Sequence, residues 1–275
     1  MKIAGVVVLY NPDDLVYNNM NTYITDIDRL YIIDNSLESN EKKLGMLKSG
    51  NYEYHHLGKN KGLASALNIG CALALDAQYE YVLTMVQDAS FKQGSLNQMK
   101  NSLGSDCQIC GPSILIQYNE DNEIKEREKE SYSEWLITAG TIMSLDAWNK
   151  VGRFDDDFFI EFIDIDLCLR FMINGYKLHR VKDAYISLMQ GVCHQHYLGK
   201  KVVYTSDAAP LRTYYLFRNG TYIRVKYGKK YSSFVDAHYG RYIIKVILYE
   251  DNKIKKLINA FKGWVDGYKW AKLKK

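Results

Sequence analysis

Apolar and polar positions along this chain alternate between two rhythms. Residues 2–10, KIAGVVVLY, form a continuous apolar run of the kind found in a strand buried on both faces. RLYIIDNS (29–36), YEYHHLG (52–58) and YEYVLTMVQD (79–88) predict three more strands, the third in chain order being the weakest. Between the third and fourth, NKGLASALNIGCALALDA places Leu63, Ala66, Leu67, Gly70, Cys71 and Ala74 at helical spacing. NPDD after the first strand reads as a turn and helix start. Strands separated by helical segments predict parallel βαβ units with right-handed crossovers.

The second half of the chain is less regular. SDCQICGPSI is strand-like, whereas residues 119–134, NEDNEIKEREKESYSE, are charged and nearly free of apolar positions, predicting a mobile surface loop. From Pro210 onward the pattern is helical to the end. In the last stretch Ile254, Leu257, Ile258, Phe261, Trp264, Val265 and Tyr268 form one helical stripe. Lys253, Lys255, Lys256, Lys262, Lys269, Lys272, Lys274 and Lys275 fill much of the remaining surface. A basic amphipathic helix with Trp at its apolar edge suits an anionic membrane surface. The alternative is a helix docked on the domain or on a second subunit, as in a homodimer.

Composition adds little to this outline. The 275 residues are ample for a sizeable core, and a net charge of +4 is too weak to argue for nucleic acid. The 23 Tyr against 3 Pro are unusual; polar-edged aromatics suit carbohydrate surfaces, and ordinary packing accounts for them equally well. The start lacks the long apolar run of a signal peptide, and no stretch approaches the roughly 20 apolar residues of a spanning helix. Five scattered cysteines suggest reduced thiols and a cytoplasmic protein. Cys107 and Cys110 form a CxxC, but in a strand-like run without a second pair.

Chemistry gathers at the strand ends. Tyr10 with Asn11, Asp34 with Asn35, and Gln87 with Asp88 each close a predicted strand. In an open α/β sheet, ligands bind outside those carboxyl ends. There is no GxGxxG after a strand and no GxxxxGK[ST], so a diphosphate here needs neutralising by a divalent cation on a carboxylate. Asp88 is placed for that role, and His196 offers an imidazole that suits manganese better than magnesium. In FFIEFIDIDLCLR a helix is predicted from near Glu161. Asp164 and Asp166 point different ways on it, so one can face a cleft while the other pairs with Arg170. Apolar neighbours would raise the basicity of a carboxylate there.

These pieces, in this order, resemble inverting family 2 glycosyltransferases of the GT-A fold, and within them the bacterial rhamnosyltransferase group. VVVLYNPD, YIIDNS, NKGLASALNIG, LTMVQDAS, ITAGT, GRFDDDFFIEFIDIDLCLR, GYKL, HYLG and PLRTYYLFRN carry the likeness from about residue 3 to about residue 225. The resemblance implies a mixed, mostly parallel sheet flanked by helices, with a GT-A catalytic domain over 1–210. Its nucleotide-binding half would be about 1–112 and its acceptor side about 113–210, followed by a helical region 211–275 with the basic tail 251–275. It implies that Tyr10, Asn11 and Asp34 contact base and ribose, and that Asn60, Gly62 and Asn68 line the same cleft. Gln87 and Asp88 would face the donor, with Asp88 and His196 holding Mn²⁺ or Mg²⁺. Asp164 would be the general base. Arg212, Tyr215, Arg218 and Asn219 would hold the diphosphate or the acceptor. The implied donor is dTDP-rhamnose, with UDP-galactofuranose or a UDP-hexose as alternatives. The implied acceptor is a glycan or lipid-linked oligosaccharide at the inner face of the cytoplasmic membrane. Where the family usually reads LTLDQDS, this chain has Val86 for the first acid of DxD and an inserted Ala89. That departure puts donor choice in doubt and opens a further alternative, a non-catalytic sugar- or partner-binding module.

Overall fold

In the computed structural model, which describes residues 1–120, 123–128, 135–192, 194–198, 201–205 and 208–274, the first apolar run is β1 (Ile3–Leu9), every residue of it buried. β2 (Arg29–Asp34), β3 (Tyr52–His56) and β4 (Tyr81–Val86) follow where the pattern predicts them. β1 pairs in parallel with β2 and β4, and β2 with β3. The intervening helices are the short α1 (Leu15–Met20) and α2 (Leu63–Asp76). α2 buries Ala64, Ala66, Leu67, Gly70, Cys71 and Ala74, close to the predicted face.

The sheet then changes direction. After β5 (Ala89–Phe91) and α3 (Ser95–Asn101) come β6 (Ile109–Glu120), β7 (Glu123–Glu128) and β8 (Thr141–Ser144). α4 (Leu145–Lys150), α5 (Ile163–Ile173) and β9 (His179–Val192) complete the run. The order across the sheet is β3-β2-β1-β4-β8-β6-β9-β5, with β7 on β6; β8 meets β4 and β6 antiparallel, and β5 meets β9 antiparallel. The sheet is therefore mixed, as the GT-A expectation has it. Part of the charged segment read as a loop is β7, since backbone pairing alone suffices at an edge; residues 121–122 and 129–134 of it lie outside the described residues.

The chain divides into two compact units. The first holds residues 1–117, 126–159 and 163–189; the second holds 118–125, 160–162 and 190–275. In the second, β10 (His194–Leu198) and β11 (Lys201–Thr205) form an antiparallel pair. Three helices follow, α6 (Pro210–Tyr227), α7 (Lys229–Leu248) and α8 (Lys253–Leu273). Among the described residues no helix is long and apolar enough to cross a membrane.

Candidate functional site

Because β1, β2 and β4 run parallel, the polar residues after them emerge on one edge of the sheet, and there they are knitted together. Asp34 is fully buried. Its Oδ1 accepts the Ser36 backbone N–H at 3.0 Å. Its Oδ2 accepts Asn40 N and Nδ2, both at 3.0 Å, and the Tyr54 hydroxyl at 2.5 Å. Burial pulls the carboxyl's pKa up, but the hydrogen bonds from Ser36, Tyr54 and Asn40 outweigh it and hold the group below the usual carboxylate range. Expected as a direct ligand of base and ribose, Asp34 instead spends its oxygens organising the loop after β2. Ser36 passes that order on, its Oγ accepting Asn11 N at 2.8 Å. Asn11 holds a left-handed backbone, φ 48°, and Tyr10 beside it is half exposed.

Asn35 ties in the next element. Its side-chain Oδ1 accepts Lys61 N at 2.7 Å, and its Nδ2 donates to Asn60 Oδ1 at 2.9 Å and to Gly62 O at 3.2 Å. Asn60 Oδ1 also accepts Gly62 N at 2.9 Å. Gly62 has φ +85°, and a Cβ there would stand 2.8 Å from Phe159 Cα, so its absence of a side chain serves packing against backbone. Asn68 clamps the loop before α5 through Phe154 and Asp156. Gln87 pairs with the Tyr10 backbone, accepting its N–H at 2.7 Å and donating to its O at 3.2 Å. Gly62 and Asn68, expected to line the cleft, and Gln87, expected to face the donor, thus hold neighbouring backbone in place. Ser36, Asn40 and Tyr54 escaped the sequence reading, although Asp34-Asn35-Ser36 is the chemistry of an Asx turn.

Asp88, one turn residue beyond Gln87, carries an exposed side chain, and its backbone O accepts Met189 N at 2.9 Å. Val86 is the last residue of β4, in register with Val8 and half-buried. The two acids of α5 separate as their spacing predicts. Asp166 is buried against Arg170, 2.7 Å from Nη2, while Asp164 is part exposed and accepts Ile165 N at 2.9 Å. Behind Asp164 lies a cavity of about 10 Å³ between Thr84, Leu136, Thr141, Phe154 and Leu167, room for one water and no more.

The remaining site residues lie in the second unit. His196 stacks on Tyr249, centroids 4.5 Å apart, with Nε2 2.9 Å from Thr205 Oγ1; that nitrogen must leave Thr205 to meet a metal. Arg212 is ion-paired with Glu161. The Arg218 guanidinium stands over Tyr215 and Trp270, 4.8 Å from each centroid, and its Nε donates to Asn219 Oδ1. Both arginines, expected on the diphosphate or acceptor, have protein partners here. Asn219 is fully buried.

Among the described residues no group of three or more His, Cys, Asp or Glu forms a ready metal cluster. One exposed carboxylate at a strand end nevertheless fits magnesium or manganese, which take one or two protein oxygens beside substrate phosphates and water. The CxxC offers less. Cys107 and Cys110 are both buried. Their mutual hydrogen bond holds the Cys107 thiol down at about 7 and pushes Cys110 up.

No family model matches the chain. It is 26% identical over 246 residues to the dTDP-rhamnosyl transferase RfbF of Shigella flexneri, covering 79% of this chain and 78% of that protein. An uncharacterized protein of Mycobacterium tuberculosis is 27% identical over 168 residues, 56% of this chain and 64% of the other. Among solved structures, S. aureus TarS 1–349 in complex with UDP-GlcNAc superposes with a TM-score of 0.62 at 14% identity, over 97% of this chain and 81% of that one. The UDP complex of the same protein gives 0.58 over 98% and 81%. In sequence this chain is thus similar to a dTDP-rhamnosyl transferase, and its architecture is the GT-A fold that it shares with TarS.

Proposed function

We propose that this chain is an inverting glycosyltransferase that moves L-rhamnose from dTDP-rhamnose to a hydroxyl of a lipid-linked surface-polysaccharide precursor at the inner face of the cytoplasmic membrane. The observation that carries the reading is the likeness to a dTDP-rhamnosyl transferase over nearly four-fifths of the chain. The edge of the sheet where β1, β2 and β4 end supplies a nucleotide platform. Its shape is held by the Asp34 and Asn35 hydrogen bonds, and its exposed groups are Tyr10, Asn11 and Asp88.

In this reading Asp164 takes the proton from the acceptor hydroxyl as that oxygen attacks the anomeric carbon. One displacement without a protein nucleophile inverts configuration. Asp88 would hold Mn²⁺ or Mg²⁺, with His196 as a second ligand once its Thr205 contact is exchanged. When bound, such a cation supplies charge stabilisation for the departing diphosphate. Arg212 and Arg218 would meet phosphate or acceptor only after giving up their present partners. A second reading keeps the fold and uses a UDP-sugar. It is favoured by the TarS structures, which hold UDP and UDP-GlcNAc at 0.58 and 0.62, and by Val86 in place of an acid.

The test is a donor panel of dTDP-rhamnose, UDP-galactofuranose and UDP-hexoses, measuring nucleoside diphosphate release with and without lipid-linked acceptor. Release dependent on acceptor and specific to dTDP-rhamnose is expected; release with a UDP-sugar alone selects the second reading, and none with any pair refutes both. Asp164→Asn is expected to lower kcat at least about 1000-fold with nucleotide affinity unchanged. Turnover at the wild-type rate removes Asp164 as base.

A further inference from the structure

α8 presents two faces with different contents. On one, Ala260, Gly263, Gly267 and Ala271 recur at helical spacing and are buried. A Cβ on Gly263 would stand 2.3 Å from Tyr214 O, and on Gly267 2.2 Å from Arg218 O, so α6 and α8 meet backbone to backbone. Trp270 stacks on Tyr222 at 3.8 Å. Lys256, only 1% exposed, pairs with buried Glu250 at 2.9 Å and pins the rotation of the first turn. Apart from Trp270, the helix is anchored through small residues and one buried ion pair.

Most of the large residues of its apolar stripe face water. Ile254 is 75% exposed and Phe261 64%, while Ile258, Trp264 and Tyr268 are each about half exposed. The last turn of α7, which leads into α8, adds exposed Ile244, Ile247 and Leu248. Lys255, Lys262 and Lys269, all exposed, recur every seven residues and so form one row along a flank of the apolar stripe. The buried face meets the docked alternative for this segment, and the outward face is left open to the membrane alternative.

A stripe of large apolar side chains, an aromatic edge and a row of lysines match the interface of an anionic bilayer, where the apolar part sinks to the acyl boundary and ammonium groups meet lipid phosphates. Antiparallel association of two copies through the same stripe would bring the lysine rows of both to one flank. We propose that the outward face of α8 is a docking surface for anionic lipid, with Phe261 and Trp264 entering the interface and Lys255, Lys262 and Lys269 at the headgroups. This deepens the reading of a membrane-held acceptor and rests on it only for the choice of leaflet.

The test is co-sedimentation of the full chain with vesicles of phosphatidylglycerol and phosphatidylethanolamine, against neutral phosphatidylcholine. Binding to the anionic vesicles alone is expected. Phe261→Glu should release the protein, and Lys255→Glu/Lys262→Glu/Lys269→Glu should lower its partition by about 100-fold. All four side chains are exposed, and an unchanged far-UV spectrum verifies the fold. Equal partition of wild type and variants overturns the proposal, as does failure of the wild type to bind. A Phe261→Glu change from dimer to monomer in sedimentation velocity, without vesicle binding, assigns the stripe to a second copy and equally overturns it. Vesicle binding without nucleotide release from any donor keeps this surface and removes the transfer reading; transfer to a soluble acceptor without vesicle binding does the reverse.

Discussion

Replacing Asp34 by Asn tests whether this buried carboxylate is the keystone of the loop after β2, the proposed nucleotide platform. Asn is nearly isosteric, so the perturbation is one of charge and hydrogen-bonding capacity. With its carbonyl in the Oδ2 place, the amide keeps the contacts to Asn40 N, Asn40 Nδ2 and Tyr54 OH, but as neutral bonds. Each such exchange costs about 1 kcal/mol. Its NH₂ then faces the Ser36 N–H that Oδ1 now accepts, two donors head to head in a buried place, worth about 1 to 3 kcal/mol. A loss of about 4 to 6 kcal/mol is expected, read as a lower urea midpoint at unchanged slope. Tyr54→Phe removes one of the four donors and should cost about 1 to 2 kcal/mol. The pH dependence has a definite sign. Since the folded carboxyl titrates below its unfolded value of about 3.9, its contribution is complete above that value and disappears as pH falls through the folded pKa. The gap between wild type and Asp34→Asn should therefore be full at pH 7 and close in acid. A gap under about 1 kcal/mol at pH 7, or one that widens in acid, refutes the keystone role.

Two further substitutions probe other parts of the structure. Asp88→Ala should weaken dTDP or UDP binding by about tenfold in Mn²⁺ and leave it unchanged in EDTA, by calorimetry; equal affinities in Mn²⁺ remove the metal role. Gly267→Ala gains helix propensity of about 1 kcal/mol, yet its methyl would lie against the Arg218 carbonyl. A net loss of about 2 kcal/mol or more in thermal or urea unfolding is expected, and a stabilised protein would show that α6 and α8 do not pack this closely.

The parallel part of the sheet was legible because burial on both faces leaves continuous apolar runs, as in β1, and because α2 carries its small residues on one side. The site was legible as positions and less so as roles. That Asp34, Gln87 and Gly62 lie at the carboxyl edge of the parallel strands follows from strand order. That their polar groups are taken up within the protein depends on Tyr54, Asn40, Tyr10 and Phe159, which come from elsewhere in the chain. The tail was legible in part. Periodicity marks the large apolar residues, and a helix that packs through glycine and alanine hides its buried face in the least hydrophobic positions.

The start of α5 shows how such long-range partners override local pattern. The sequence reads as helix from near Glu161, but Phe159, Glu161 and Phe162 have φ of 54°, 67° and 63°, and α5 begins only at Ile163. Left-handed backbone at residues with bulky side chains costs about 1 to 3 kcal/mol each and persists only when its surroundings over-determine it. Those surroundings are visible on each side of the turn. In the first unit, Leu63 N donates to Phe159 O at 2.6 Å beside Gly62. In the second, buried Asn219 donates to Ile160 O at 2.7 Å and Glu161 O at 2.8 Å, and Arg212 holds the Glu161 carboxylate. Asn219 and Arg212, which the resemblance assigns to a ligand, thus restrain the strained turn that ends two residues before Asp164.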